Sequence, residues 1–127
     1  MTNGLRVLVV EDCADTRLSL RWLLRAWGHE VGEAADGTSA LTYAASHIPD
    51  VVLLDIGLPR MDGYEVARQL RALPSLGDAL LVALTGFGRL ADVECCLQAG
   101  CDTHLLKPCS PLVLKQLLEF RLAQATV

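Results

Sequence analysis

Three short runs of almost unbroken aliphatic residues constrain this chain most. They are Leu5-Arg6-Val7-Leu8-Val9-Val10, Val51-Val52-Leu53-Leu54 and Ala79-Leu80-Leu81-Val82-Ala83-Leu84. Each is short for a buried helix and too apolar for a strand with one wet face, so each reads as a strand covered on both sides. The segments between them carry helical spacing. Leu20, Leu23, Leu24 and Trp27 form one stripe over 15–27, with Arg17, Arg21 and Arg25 on another face, and Gly28 is a natural stop. Residues 29–34 read as a weakly apolar strand near a sheet edge. Asp36-Gly37 turns into a helix over 38–47. Pro59 and Gly63 bound a loop before a helix to about Leu73, and Pro74 to Asp78 form a second loop. A loop with Gly86 and Gly88 leads to a helix over 89–99, capped by Gly100. A short strand spans 102–106. Ser110 and Pro111 then open a last helix to about Ala123. Strands and helices in strict alternation imply an α/β domain, a parallel sheet with helices on both faces.

Composition narrows the function. A chain of 127 residues fits one domain, and 52% hydrophobic with 20% charged residues excludes intrinsic disorder. Aromatics at 5% and a net charge of −4 leave neither a stacking platform nor a basic footprint for nucleic acid. No apolar run approaches the ~20 residues of a membrane span, so no membrane insertion is expected. The N-terminal residues lack a basic stretch followed by a cleavable apolar one. The five cysteines have no paired CxxC spacing, which fits free thiols in a reducing cytoplasm. Cys95, Cys96, Cys101 and Cys109 read as small packing residues and surface thiols rather than a metal set. Cys13 lies beside acidic residues, where negative charge is expected to disfavour a thiolate.

Ligands of such sheets bind beyond the carboxyl ends of the strands. The first strand ends with Glu11 and Asp12, the third with Asp55, the fourth with Thr85 and the fifth with Lys107. Three carboxylates delivered to one edge repel one another, and a hard cation removes that cost. Oxygen-only ligands with room for water suit Mg²⁺ (or Mn²⁺) better than zinc. A lysine on the same rim supplies a point charge for a phosphoryl group. An exposed carboxylate beside Mg²⁺ and a lysine is an activated nucleophile for phosphoryl transfer.

The blocks Val7-Leu8-Val9-Val10-Glu11-Asp12, Leu53-Leu54-Asp55-Ile56-Gly57-Leu58-Pro59-Arg60-Met61-Asp62-Gly63, Ala83-Leu84-Thr85-Gly86 and Leu106-Lys107-Pro108 occur in this order. Together they closely resemble the receiver domain of two-component response regulators, over essentially the whole chain. The resemblance implies a single flavodoxin-like (βα)5 domain with sheet order 2-1-3-4-5, here residues 3–123 with a tail at 124–127; a chemotaxis receiver is a standard example of that order. It implies Asp55 as phosphoacceptor and Mg²⁺ held by Asp12, Asp55 and the Gly57 carbonyl, with Glu11 acting through water. It implies Lys107 bridging to Asp55 or its phosphoryl group, a cis Lys107–Pro108 bond, and Thr85 as the switch hydroxyl. It implies a histidine kinase or histidine phosphotransfer domain as donor, an unassigned output partner, and association into a homodimer on phosphorylation. Such a domain is a signalling switch with its own autophosphorylation and autodephosphorylation chemistry, not a turnover enzyme. The chain is either a stand-alone regulator or a receiver belonging to a larger hybrid kinase or regulator.

Two departures from the family pattern stand out. His104 occupies the position where the family usually has tyrosine or phenylalanine, so it is the candidate polar partner of Thr85 in switching. Gly57 leaves no side chain over the line of attack, so water and the phosphodonor should both reach Asp55 easily. Asp15 and Asp62 are expected to serve the starts of helices. Leu18 and Trp22 lie off the main stripe of the first helix, either as an apolar patch for a partner or as a partly buried edge. Two other classes fit the residues less well. A flavin or nucleotide binder would want a phosphate-cradling loop after the first strand, where Glu11-Asp12-Cys13-Ala14-Asp15 is acidic. A Mg²⁺-dependent phosphatase with an aspartyl nucleophile usually has a second acid where Gly57 stands.

Overall fold

The computed structural model describes residues 4–58, 62–86 and 90–125. Asn3, Pro59, Gly88 and the tail residues 126–127 lie outside the described residues. The elements are β1 (Arg6–Val10), α1 (Ala14–Ala26), β2 (Glu30–Ala34), α2 (Gly37–Ser46), β3 (Val51–Asp55), α3 (Gly63–Ala72), β4 (Leu80–Thr85), α4 (Leu90–Gln98), β5 (Thr103–Leu106) and α5 (Pro111–Ala125). The strands form one parallel sheet in the order β2-β1-β3-β4-β5. The fold expectation therefore holds, with the weakly apolar β2 at an edge and the aliphatic β3 at the centre.

The alternation along each strand divides the core. Val7, Val9, Val51, Leu53, Val82 and Leu84 face α1 and α5, where Leu20, Leu24, Leu114 and Leu118 cover them. Leu8, Val10, Val52, Leu54, Leu81 and Ala83 face the opposite layer, covered by Ala40 and Ala44 of α2, Val66, Ala67 and Leu70 of α3, and Cys96 of α4. Both faces of the central strands are dry, which is why their sequence runs are continuous rather than alternating.

Local chemistry sets the helix ends. Asp36 caps α2 by accepting from the Ser39 N–H at 2.8 Å, and Asp62 caps α3 by accepting from the Tyr64 N–H at 3.0 Å. Ser110 accepts from the Val113 N–H at 3.5 Å ahead of Pro111, the first residue of α5. Gly28 and Gly100 follow α1 and α4 with φ of 91° and 105°, a backbone region that disfavours residues with a Cβ. Beyond shifts of one residue at several ends, two places differ from the sequence reading. Pro74–Leu76 form a short 3-10 helix inside the expected loop, because proline presets φ for a helical turn. The last helix continues through Gln124 and Ala125, good helix formers with no glycine or proline to stop them.

Candidate active site at the carboxyl edge

Among the described residues, the buried polar or charged side chains are Glu11, Asp55 and Thr85, at 2%, 5% and 6% exposure. All three sit at or just beyond the carboxyl ends of parallel strands. The residues of β3 and β4 ahead of these groups are aliphatic, so each of those two strands delivers its polar group where its aliphatic run ends.

Asp55 is the last residue of β3 and lies between two donors. Its Oδ2 is 2.9 Å from Lys107 Nζ, and its Oδ1 accepts from the Gly57 N–H at 2.9 Å. Lys107 also reaches Glu11 Oε2 at 3.0 Å. The ammonium thus spans two carboxylates, adding Glu11 to the bridge to Asp55 that the resemblance implies. One carboxylate oxygen from each of Glu11, Asp12 and Asp55 lies within 4.8 Å of the others. Asp12 is exposed while Glu11 and Asp55 are buried, so the trio is open on one side. An all-oxygen set with an open side fits a hard divalent cation that keeps several waters.

The electrostatics follow from the crowding. Burial pushes the Glu11 carboxyl above its ordinary range, and the nearby Asp55 charge adds to this against the opposing pull of Lys107. Burial works to lower the Lys107 ammonium, but its bonds to Asp55 and Glu11 outweigh burial and raise it. The Lys107 ammonium pairs with two of the three acids, Glu11 and Asp55, and among the described residues Asp12 has no ion pair.

Asp55, Ile56, Gly57, Tyr64, Thr85, Gly86 and Lys107 line an open cleft of about 390 Å³. Thr85 closes β4 on that cleft. The Lys107 N–H donates to the Thr85 carbonyl at 2.8 Å, and the Lys107–Pro108 bond is cis as expected. His104 sits on β5 opposite Ala83 in the register. It is half-buried and is not among the residues that line the cleft. Gly57 is exposed, and among the described residues a Cβ there would meet Asp55 Oδ1 at 3.5 Å.

A family comparison decides what kind of site this is. Residues 7–119 match the family model described as the response regulator receiver domain. This chain belongs to that family. The receiver domain is 44% identical over 104 residues to the response regulator MprA of Mycobacterium sp. (strain KMS), covering 81% of this chain and 44% of the relative. It thus spans under half the length of that curated relative. It resembles the receiver domain of the sensor histidine kinase PA1611 from Pseudomonas aeruginosa PAO1, at 33% identity, TM-score 0.86, and 94% and 98% coverage of the two chains. That structure has a magnesium ion coordinated in its active-site cleft. The receiver domain of Ssk1 from Saccharomyces cerevisiae, solved with the histidine phosphotransfer protein Ypd1, shares the fold at 23% identity, TM-score 0.91, and 100% and 94% coverage.

The receiver's remaining candidates fall as follows. Asp15 lies in the first turn of α1. Leu18 and Trp22 are exposed, Trp22 to 72%, and with Ser19, Leu23 and Ala26 they line a shallow groove; the partly buried alternative does not hold. Cys13 corrects an expectation. Its thiol is pulled below the ordinary value, first by a hydrogen bond with the Thr16 side chain and then by the Thr16 backbone, against the charge of Asp15. Donors at the start of α1 outweigh the acidic surroundings. Sequence reasoning passed over Tyr64, which lines the cleft, and Arg17, whose guanidinium holds the loop carrying Glu11 and Asp12. The available signal was position: Tyr64 follows Gly63 at the start of α3, and Arg17 lies one turn beyond Cys13.

Proposed function

We propose that this receiver domain takes a phosphoryl group from a phosphohistidine, on a histidine kinase or a histidine phosphotransfer domain, and holds it on Asp55. The observation that carries the reading is the Asp55 carboxylate. It is buried at the end of the central strand, held by the Gly57 N–H and Lys107, and open to a cleft. In the transfer, an Asp55 oxygen forms a bond to phosphorus as the phosphorus–nitrogen bond of the donor breaks, and the departing imidazole keeps the electron pair and takes a proton. Lys107 offsets charge that builds on the phosphoryl oxygens. Asp12, Asp55 and the Gly57 carbonyl would hold Mg²⁺, with Glu11 contributing through water. The bound ion would neutralise the acids and the incoming phosphoryl charge.

Two residues carry the consequence outward. The Thr85 hydroxyl donates to the new phosphoryl group, and that movement is passed to His104 on the neighbouring strand. A partner then reads the altered surface. His104 holding one orientation with and without beryllofluoride would remove it from this role.

The direct test is incubation with acetyl phosphate, with and without Mg²⁺, followed by intact mass. The unaltered chain gains one phosphoryl group only with Mg²⁺, and Asp55→Asn gains none. Equal incorporation by Asp55→Asn would overturn the assignment.

A further inference from the structure

Arg17 and Glu33 take no part in the chemistry above, yet they are tied to it through the backbone. The Arg17 Nη1 donates to the Glu11 carbonyl at 2.8 Å and to the Asp12 carbonyl at 3.2 Å. Its Nε lies 3.8 Å from Glu33 Oε1, and Glu33 Oε2 takes Arg21 Nη1 at 2.9 Å. Glu33 stands opposite Val9 in the register of β1 and β2, so the guanidinium hangs from the sheet itself. The side chains of Arg17 and Glu33 are only 21% and 28% exposed. This is a planar fork with two carbonyls on one side and a carboxylate on the other, the geometry at which arginine is not replaceable by a point charge.

The position of those carbonyls matters. β1 ends at Val10, and the chain leaves the sheet through Glu11 and Asp12 before α1 begins. The Glu11 N–H is still held by the Ala34 carbonyl at 3.0 Å. The peptide plane between residues 11 and 12 sets the directions in which the two carboxylates leave the chain. Mutual repulsion pushes those carboxylates apart. A donor that grips both carbonyls opposes that push from the backbone side, leaving the carboxylate oxygens free. Lys107 does the reverse, because it occupies the carboxylates of Glu11 and Asp55 themselves.

We infer that Arg17, oriented by Glu33, is a positioning residue for the divalent cation: it holds the Glu11–Asp12 segment so that both carboxylates converge with Asp55. This rests on the proposed Mg²⁺ site. The sign of the effect separates positioning from simple charge. Deleting a cation near an acidic site strengthens its hold on another cation if only Coulomb forces act. Deleting an orienting contact weakens it, by about 10- to 100-fold for groups that orient metal ligands.

The experiment is a Mg²⁺ titration of the full chain followed by backbone amide shifts. Arg17→Ala raises the Mg²⁺ Kd by about tenfold or more, Glu33→Gln raises it by a smaller factor, and Arg25→Ala, on the exposed side of the same helix, does not raise it. The Mg²⁺ dependence of phosphorylation by acetyl phosphate moves to higher concentration in the first two variants. A Kd that is unchanged or tighter in a folded Arg17→Ala overturns the inference. If Arg17→Ala does not fold, an unchanged Kd in Glu33→Gln overturns it. Failure of the unaltered chain to bind Mg²⁺ overturns the site reading itself, so the two failures are distinguishable.

Discussion

The two edges of the sheet use the same side chains for opposite work. At the amino edge, Asp50 and Asp102 each stand one residue ahead of a strand and clasp the neighbouring one. The Asp50 N–H donates to the Arg6 carbonyl, and its carboxylate accepts from the Arg6 N–H, both at 2.8 Å. Asp102 repeats the device with Leu81, again at 2.8 Å in both directions, and its carboxylate also meets Arg71 Nη2 at 2.7 Å. Arg71 further reaches the carbonyls of Leu76, Ala79 and Gly100, binding the end of α3 to two loops. These acids have donors and are not crowded by other acids. At the carboxyl edge, Glu11, Asp12 and Asp55 crowd together around one ammonium. Partnered acids hold strands in place; crowded acids carry a repulsion that a divalent cation would relieve. The residue type does not distinguish the two roles, and the local balance of charge does.

Exchanging one acid at each edge gives the largest separation. Asp12→Asn is expected to weaken Mg²⁺ binding by about tenfold or more and to leave Mg²⁺-free stability unchanged or raised, since it relieves repulsion. Asp102→Ala is expected to leave Mg²⁺ affinity unchanged and to cost about 1–3 kcal/mol of unfolding free energy, because it leaves the Leu81 N–H without its acceptor and removes the carboxylate partner of Arg71. Urea unfolding and Mg²⁺ titration of both variants check this. Equal behaviour of the two would erase the contrast between the edges.

A smaller effect concerns access. Among the described residues, Asp55 Oδ1 alone comes into contact range of a Cβ built at Gly57. Gly57→Met is expected to lengthen the lifetime of phosphorylated Asp55 several-fold, on the order of 1 kcal/mol in barrier height. The decay of the phosphorylated mass after removal of acetyl phosphate measures it, and an unchanged decay would show that water reaches the site by another line.

The smallest effect is the pH response, which has opposite signs at the two edges. His29 Nδ1 accepts from the Leu5 N–H at 3.0 Å, and burial lowers the His29 pKa in the folded chain. Its contribution is present above the unfolded value near 6.5 and is lost as pH falls through the folded pKa. Glu11 has its folded pKa raised above the unfolded 4.5, so its ionisation opposes folding and the cost is relieved as pH falls. Unfolding free energies from pH 8 to pH 5 should therefore fall less in His29→Gln than in the unaltered chain. Parallel curves would remove His29 from the account.

Much of this was legible in the sequence because strands and motifs are local. The aliphatic runs at 51–54 and 79–84 specify strands buried on both faces, and a polar residue at the end of each specifies the active edge. Asp55, Thr85 and Lys107 end neighbouring strands once the sheet takes the order that the family resemblance implies. Other features depend on partners distant in sequence. Lys107 meets Glu11 across 96 residues, and no spacing rule announces that pairing. Arg17 looks like one of three arginines on a solvated helix face, because its partners are backbone carbonyls with no sequence signature. Cys13 was misjudged because the acidic neighbours are visible in the sequence, whereas the geometry that brings Thr16 to the thiol appears only when α1 forms.

The central claim is that the carboxyl edge is short of positive charge until a divalent ion arrives. Urea unfolding of the full chain with and without Mg²⁺, at matched ionic strength, tests it most directly. The account predicts that Mg²⁺ at about 100 times its Kd adds about 2.7 kcal/mol to the unfolding free energy, and that Asp12→Asn loses most of this gain. Identical unfolding curves with and without Mg²⁺ would contradict it.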